Sequence, residues 1–157
     1  MLQVGTILHG TYKIESYLAS GGFGNTYLAK NIEFDETYAI KEFFVKGVCQ
    51  RDGNSTIISV SNAENTNSFE QQREKFKKEA CRLRSLSNLH IVKVYDLFEE
   101  NGTAYYVMDY VDGENLSARL KRTNAPLAES EVRNYLNQIL DGLEAIHNEG
   151  MFHLDIK

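Results

Sequence analysis

The sequence predicts an α+β fold: a five-stranded antiparallel sheet with one helix against it, followed by further helices. Three observations carry this. Alternating runs rich in β-branched and aromatic residues come in pairs joined by glycine-containing turns. One long helical segment with a single apolar stripe, from 68 to about 86, separates the third run from the fourth. After Asp112-Gly113 the alternation stops and a helical period takes over.

The bulk numbers exclude several function classes. A chain of 157 residues is long enough for a domain with its own core. Hydrophobic residues at 42% and charged residues at 25% are ordinary for a folded protein and exclude general disorder. A net charge of −5 argues against a nucleic-acid surface. Cys49 and Cys81 are far apart and not in metal-binding spacing, which fits free thiols in a cytoplasmic protein. The four histidines show no ligand spacing, so no metal site is expected. No apolar run reaches the roughly 18 residues of a membrane span, and residues 1–5 do not open a signal peptide.

Residues 12–19 alternate as a strand, Ser20-Gly21-Gly22-Phe23-Gly24 turns, and Thr26-Tyr27-Leu28-Ala29 returns. Glycines let a backbone approach a phosphate closely and aim its N–H groups at it. Because a strand and not a helix follows, the segment reads as a flap-like hairpin; a plain tight hairpin would look the same. Residues 37–44 form another strand with Lys41 in its middle. A strand lysine is ordinarily an edge residue with its stem packed down, so Lys41 needs a partner to mean more. In the 45–67 insert, Asp52-Gly53 sits between two extended pieces and predicts a small hairpin. Residues 61–67 read as polar loop, and the insert reads as surface decoration.

The helix from 68 is expected to start with a capping box, Ser68 with Gln71. Phe69, Phe76, Ala80 and Leu83 share one stripe, and Glu79 lies about 60° from Phe76 at the stripe's edge. A carboxylate turned toward a packed face needs a cation, and Lys41 is the natural candidate. Residues 91–98 and 103–107 are strands joined by an Asn101-Gly102 hairpin turn. Residues 112–115 break the pattern as a hinge. A short helix covers 116–122, ended by Asn124-Ala125-Pro126. The last helix, 129–148, places Val132, Tyr135, Leu136, Ile139, Leu140, Leu143 and Ile146 on one stripe, begins with Glu129 and Glu131, and stops at Gly150.

Five pieces in order resemble the N-terminal part of a eukaryotic-like (Hanks-type) serine/threonine protein kinase of the kind found in bacteria. Leu18-Ala19-Ser20-Gly21-Gly22-Phe23-Gly24-Asn25-Thr26-Tyr27 resembles the glycine-rich loop, and Tyr38-Ala39-Ile40-Lys41 the V-A-I-K strand. Glu79 stands where the regulatory helix carries its glutamate. Tyr106-Val107-Met108-Asp109-Tyr110 resembles the gatekeeper and hinge, and His153-Leu154-Asp155-Ile156-Lys157 the H-R-D-x-K of the catalytic loop.

The resemblance implies a small lobe and hinge over 1–111, with the 45–67 hairpin inserted, and the start of a large lobe over 112–157. It implies that ATP is received by Leu18, Gly21, Gly22, Phe23, Gly24 and Thr26 of the flap, by Ala39 and Lys41, and by Met108, Asp109, Tyr110 and Val111 of the hinge, with Met108 as gatekeeper. Lys41 would hold the α- and β-phosphates and be held by Glu79. Asp155 would accept the substrate hydroxyl's proton, Lys157 would neutralise charge near the transferred phosphate, and His153 would be architectural.

Departures also stand out. Ala19 replaces the first loop glycine, and Leu154 replaces an arginine that pairs with a phosphorylated activation loop, so no such switch is expected here. Asn88-Leu89-His90 stands where the family often has His-Pro-Asn. The sequence ends at Lys157, inside the catalytic loop, without the family's two magnesium-binding residues. Magnesium is therefore expected only in a longer parent, and the 157 residues alone are expected to be inactive and to self-associate through the exposed 129–148 stripe. Two other readings remain: a non-catalytic module binding nucleotide or protein, and an aminoglycoside-type small-molecule kinase, which the Gly-Gly-Phe-Gly turn and His-Leu-Asp-Ile-Lys disfavour.

Overall fold

The computed structural model describes residues 1–22, 24–53, 55–154 and 156. They form two compact units, Met1–Ser85 with Lys93–Tyr110, and Leu86–Val92 with Val111–Lys157.

The first unit is built on one antiparallel sheet of six strands: β1 (Ile7–Leu8), β2 (Tyr12–Gly21), β3 (Gly24–Asn31), β4 (Thr37–Phe43), β7 (Val94–Glu100) and β8 (Thr103–Asp109), in the order β1-β2-β3-β4-β8-β7. The expected sheet had five strands. The sixth, β1, is two residues long and pairs Ile7 with Lys13 and Leu8 with Tyr12, too short to show a period in the sequence. The β7–β8 turn is the expected one: Asn101 and Gly102 have φ of 55° and 75°, the left-handed pair that a tight hairpin needs. β7 starts at Val94, not residue 91.

Each sheet face has its own core. One gathers Leu2, Leu8, Ile14, Tyr27, Ile40, Tyr105 and Val107 beneath the N-terminal segment. The other gathers Phe43, Val94, Ala104 and Tyr106 under helix α1 (Ala63–Ser85). Phe69, Phe76 and Ala80 of α1 are buried there, and Leu83 packs against them, as the stripe requires. Burying one such phenylalanine is worth roughly 1.5–3 kcal/mol. Arg73 and Lys77 pair with Glu99, and Arg84 Nη1 donates to the Val94 carbonyl at 3.0 Å, so α1 is also tied to β7.

The insert forms the expected small hairpin, β5 (Cys49–Arg51) with β6 (Ile58–Val60). Residues 61–67 are not all loop. The helix begins at Ala63, five residues before the expected cap, and Ser68 lies inside it, its Oγ accepting from Gln72 Nε2 at 3.0 Å. Asn62 to Asn67 include no glycine or proline, so the helix extends N-terminally on its polar side without an apolar anchor.

The second unit holds α2 (Leu116–Thr123) and α3 (Glu129–Asn148). Asn115 caps α2 by accepting from the Ala118 N–H at 2.8 Å, and Asn124, at φ 48°, closes it. Ala128 N–H donates to Glu131, and Gly150, at φ 68°, ends α3. Arg119 of α2 reaches both Tyr135 and Glu131 of α3. Asn88 Nδ2 donates to Asp141 Oδ2 at 2.7 Å, fixing 86–92 on α3 over the buried Gly142. Val132, Leu136, Ile139 and Leu140 of α3 are exposed. Among the described residues no helix is long and apolar enough to cross a membrane.

Candidate active site

Strand parity assembles the site. Lys41 of β4 is paired with Thr26 of β3 on one side and Tyr106 of β8 on the other, and Ala39 is paired with Leu28 and Met108. Side chains two residues apart share a face. Thr26, Ala39, Lys41, Tyr106 and Met108 therefore line one face, the one α1 covers.

Lys41 is neither a plain surface lysine nor a sealed one. Its side chain is 31% exposed, and its Nζ lies 3.7 Å from Glu79 Oε1. The expected pairing of these two residues is present. The ammonium also sits 5.4 Å from the Tyr106 ring centroid and 5.9 Å from that of Phe76. Burial pulls its pKa down, but the Tyr106 hydroxyl and Glu79 outweigh it and hold the lysine above its ordinary value. Lys41 is a persistent cation with a partly open approach.

The glycine turn lies at the end of β2 and β3, where Gly21 is paired with Gly24. The glycines differ. At Gly21 and Gly22 an added Cβ would meet nothing within 4 Å, so their backbone faces open space. At Gly24 it would lie 2.2 Å from the Glu42 carbonyl oxygen, so β3 crosses β4 too closely for a side chain. Leu18 falls at an irregularity between Tyr17 and Ala19 in the β2–β3 pairing and is exposed.

Met108 is partly buried against the α1-side core. Asp109 is occupied: its carboxylate accepts from the Lys93 N–H at 2.7 Å and the Tyr95 hydroxyl at 2.6 Å. Tyr110 ends the first unit, and Val111, in the second, is exposed. His153 and Leu154 are exposed. Phe23, Asp155 and Lys157 lie outside the described residues.

Sequence reasoning missed two features. One is the Tyr106 contact with Lys41. The other is on the opposite face, where the neighbour of Lys41, Glu42, is wholly buried against Arg51 of the insert.

Comparison with known proteins identifies the family and the fold. The family model described as "Protein kinase domain" matches residues 45–157. The chain is 33% identical over 154 residues to the serine/threonine-protein kinase PrkC of Bacillus subtilis, covering 98% of this chain and 21% of that protein. It is 29% identical to the probable serine/threonine-protein kinase YbdM of the same species, covering 99% of this chain and 54% of that one. The solved structure titled "PpkA-294 apo form" superposes with a TM-score of 0.91 at 27% identity, over the whole of this chain and 55% of that one. The PknI kinase domain of Mycobacterium tuberculosis shares the fold, with a TM-score of 0.70 at 24% identity, over 56% of its length. The chain thus spans at most about half of these relatives.

Proposed function

The chain belongs to the protein kinase domain family, and on that footing we propose that it is the nucleotide-binding part of an ATP-dependent kinase acting on serine or threonine hydroxyls of proteins in the cytoplasm. The observation that carries this reading is the Lys41–Glu79 pair on the sheet face that also presents Thr26, Ala39 and Met108, beneath strands ending in the open Gly21-Gly22 turn.

Each part has a task that suits the physics. Phosphoryl transfer is catalysed by positioning and charge stabilisation. The backbone at Gly21, Gly22 and Gly24 covers the phosphates, and a part for Phe23 there rests on the family resemblance. Lys41 holds the α- and β-phosphates, and Glu79 aims it. Leu18, Ala39 and Met108 enclose the base, and the backbone from Asp109 through Tyr110 to Val111 receives its polar edge. Asp155 takes the proton from the attacking hydroxyl, and Lys157 offsets charge on the transferred group; these two roles rest on the family resemblance. Magnesium supplies charge neutralisation in this family. Among the described residues no cluster of three metal-ligating side chains forms.

For the 157-residue chain by itself the reading is nucleotide binding without phosphoryl transfer. Calorimetry with ATP and magnesium tests it, with Lys41→Ala as control. Binding by the wild-type chain that is lost in the variant is the expected result; no binding, or equal binding in both, overturns the reading. Magnesium-dependent phosphorylation by the purified chain would show that it is catalytically competent. The exposed Val132, Leu136, Ile139 and Leu140 support pairing with a second copy, which a clean monomer by light scattering at high concentration would contradict.

A further inference from the structure

The 45–67 insert carries a charge into the interior. Arg51 and Glu42 have side chains 2% and 0% exposed, with Arg51 Nη2 2.5 Å from Glu42 Oε1. Among the described residues the carboxylate's other hydrogen-bond partners are donors too. Asn25 Nδ2 lies 3.0 Å and the Tyr27 hydroxyl 2.9 Å from Oε2, and the Tyr105 hydroxyl lies 3.0 Å from Oε1. The guanidinium is oriented from within the insert, Arg51 Nε donating to the Thr56 carbonyl at 2.9 Å. The insert is anchored to the sheet in turn: Ile58 N–H donates to the Asn101 carbonyl at 2.8 Å.

Stability alone is a poor explanation for such a pair. A buried ion pair usually gains little over well-packed apolar residues, whereas removing one partner strands a charge. What this pair does that apolar residues could not is hold an asparagine amide and a tyrosine hydroxyl at fixed points. Both belong to the start of β3. Asn25 is the second residue after the turn, is paired with Glu42 in the ladder, and follows the glycine whose backbone presses on the Glu42 carbonyl.

We propose that the insert is the brace of the glycine turn: Arg51 supplies the countercharge that keeps Glu42 buried, and Glu42 holds Asn25 and Tyr27, so the turn's position depends on the insert. Arg51 and Asn25 are positioning residues, acting on nucleotide only through the turn. The nucleotide consequence rests on the function proposed above; the mechanical coupling does not.

The test is hydrogen–deuterium exchange on the 157-residue chain, read alongside ATP affinity. The variants are Arg51→Met and Asn25→Ala, the second cutting one link while leaving the ion pair, in case the first does not fold. The expected result is exchange over residues 17–28 faster by about tenfold, the scale of a lost hydrogen bond to a charged group, with residues 94–100 near wild type. ATP affinity falls alongside, and Arg51→Lys, which keeps the countercharge, lies between Arg51→Met and wild type in both readouts. Unchanged exchange over 17–28 overturns the brace, as does a parallel rise in every segment, which would make the pair a general core staple. Faster exchange at 17–28 with unchanged ATP affinity overturns the coupling to nucleotide. A wild-type chain that does not bind ATP overturns the functional reading, and exchange alone then decides the brace.

Discussion

Tyr106 stands directly across from Lys41 in the β4–β8 ladder, its ring centroid 5.4 Å from the ammonium. Tyr106 is 2% exposed, while the Glu79 side chain is 57% exposed. The lysine is thus held from two unlike sides, by a fixed buried phenol within the sheet and by a solvent-facing carboxylate on a helix.

Tyr106→Phe separates these two supports. The ring remains and the hydroxyl goes, so burial is opposed by Glu79 alone and the lysine's pKa falls. Acylation of Lys41 at mildly alkaline pH should be several-fold faster in the variant, because more of the amine is unprotonated. The stability cost should be about 1 kcal/mol, one ordinary hydrogen bond. Equal labelling rates in variant and wild type would rule out Tyr106 as a partner of the cation.

Glu79→Gln should behave differently from a core lesion. The pair is 3.7 Å apart and open to water, and pairs of this kind contribute about 1 kcal/mol or less. Thermal unfolding should barely shift, while ATP affinity drops because Lys41 loses its aim from α1. A large loss of stability would mean that Glu79 has a structural task the ion pair does not explain.

The glycines of the turn should separate in the same way. Gly24→Ala places a Cβ 2.2 Å from the Glu42 carbonyl and forces β3 away from β4, so it should lower the melting temperature. Gly22→Ala meets nothing within 4 Å and should leave the melting temperature alone. It should still weaken ATP binding, by blocking backbone approach to a phosphate. Equal effects of both substitutions on stability would refute the distinction.

The Lys41–Glu79 pair was legible in the sequence because each half is fixed by a local period: the apolar stripe of α1 places Glu79 at its edge, and alternation places Lys41 opposite Ile40. The Tyr106 contact was not, because it depends on how β4 aligns with β8, and alternation fixes parity but not register. The helix start at Ala63 and the strand at Ile7–Leu8 carry too few apolar residues to show a period. The Glu42–Arg51 pair was the least legible of all. Charged residues are almost always exposed, and nothing local marks these two as exceptions until the strand and the insert are brought together.

That same buried carboxylate makes alkaline pH a probe of the first unit. Burial, and then the charge of Glu42, hold the Tyr27 and Tyr105 hydroxyls well above the ordinary tyrosine value, and burial with Asp96 pushes Tyr12 up to about 12. A folded-state pKa above the unfolded value of about 10 gives stability that is fully present below pH 10 and is lost as pH rises further. The fold should therefore weaken from about pH 10 upward, and the last phenolates should appear together with loss of far-ultraviolet ellipticity. Tyr105→Phe should start that transition from a less stable protein, because Glu42 loses a donor it cannot replace with water. All nine tyrosines ionising in one step near the ordinary value, with the ellipticity intact, would show that Tyr27 and Tyr105 are not sealed against Glu42.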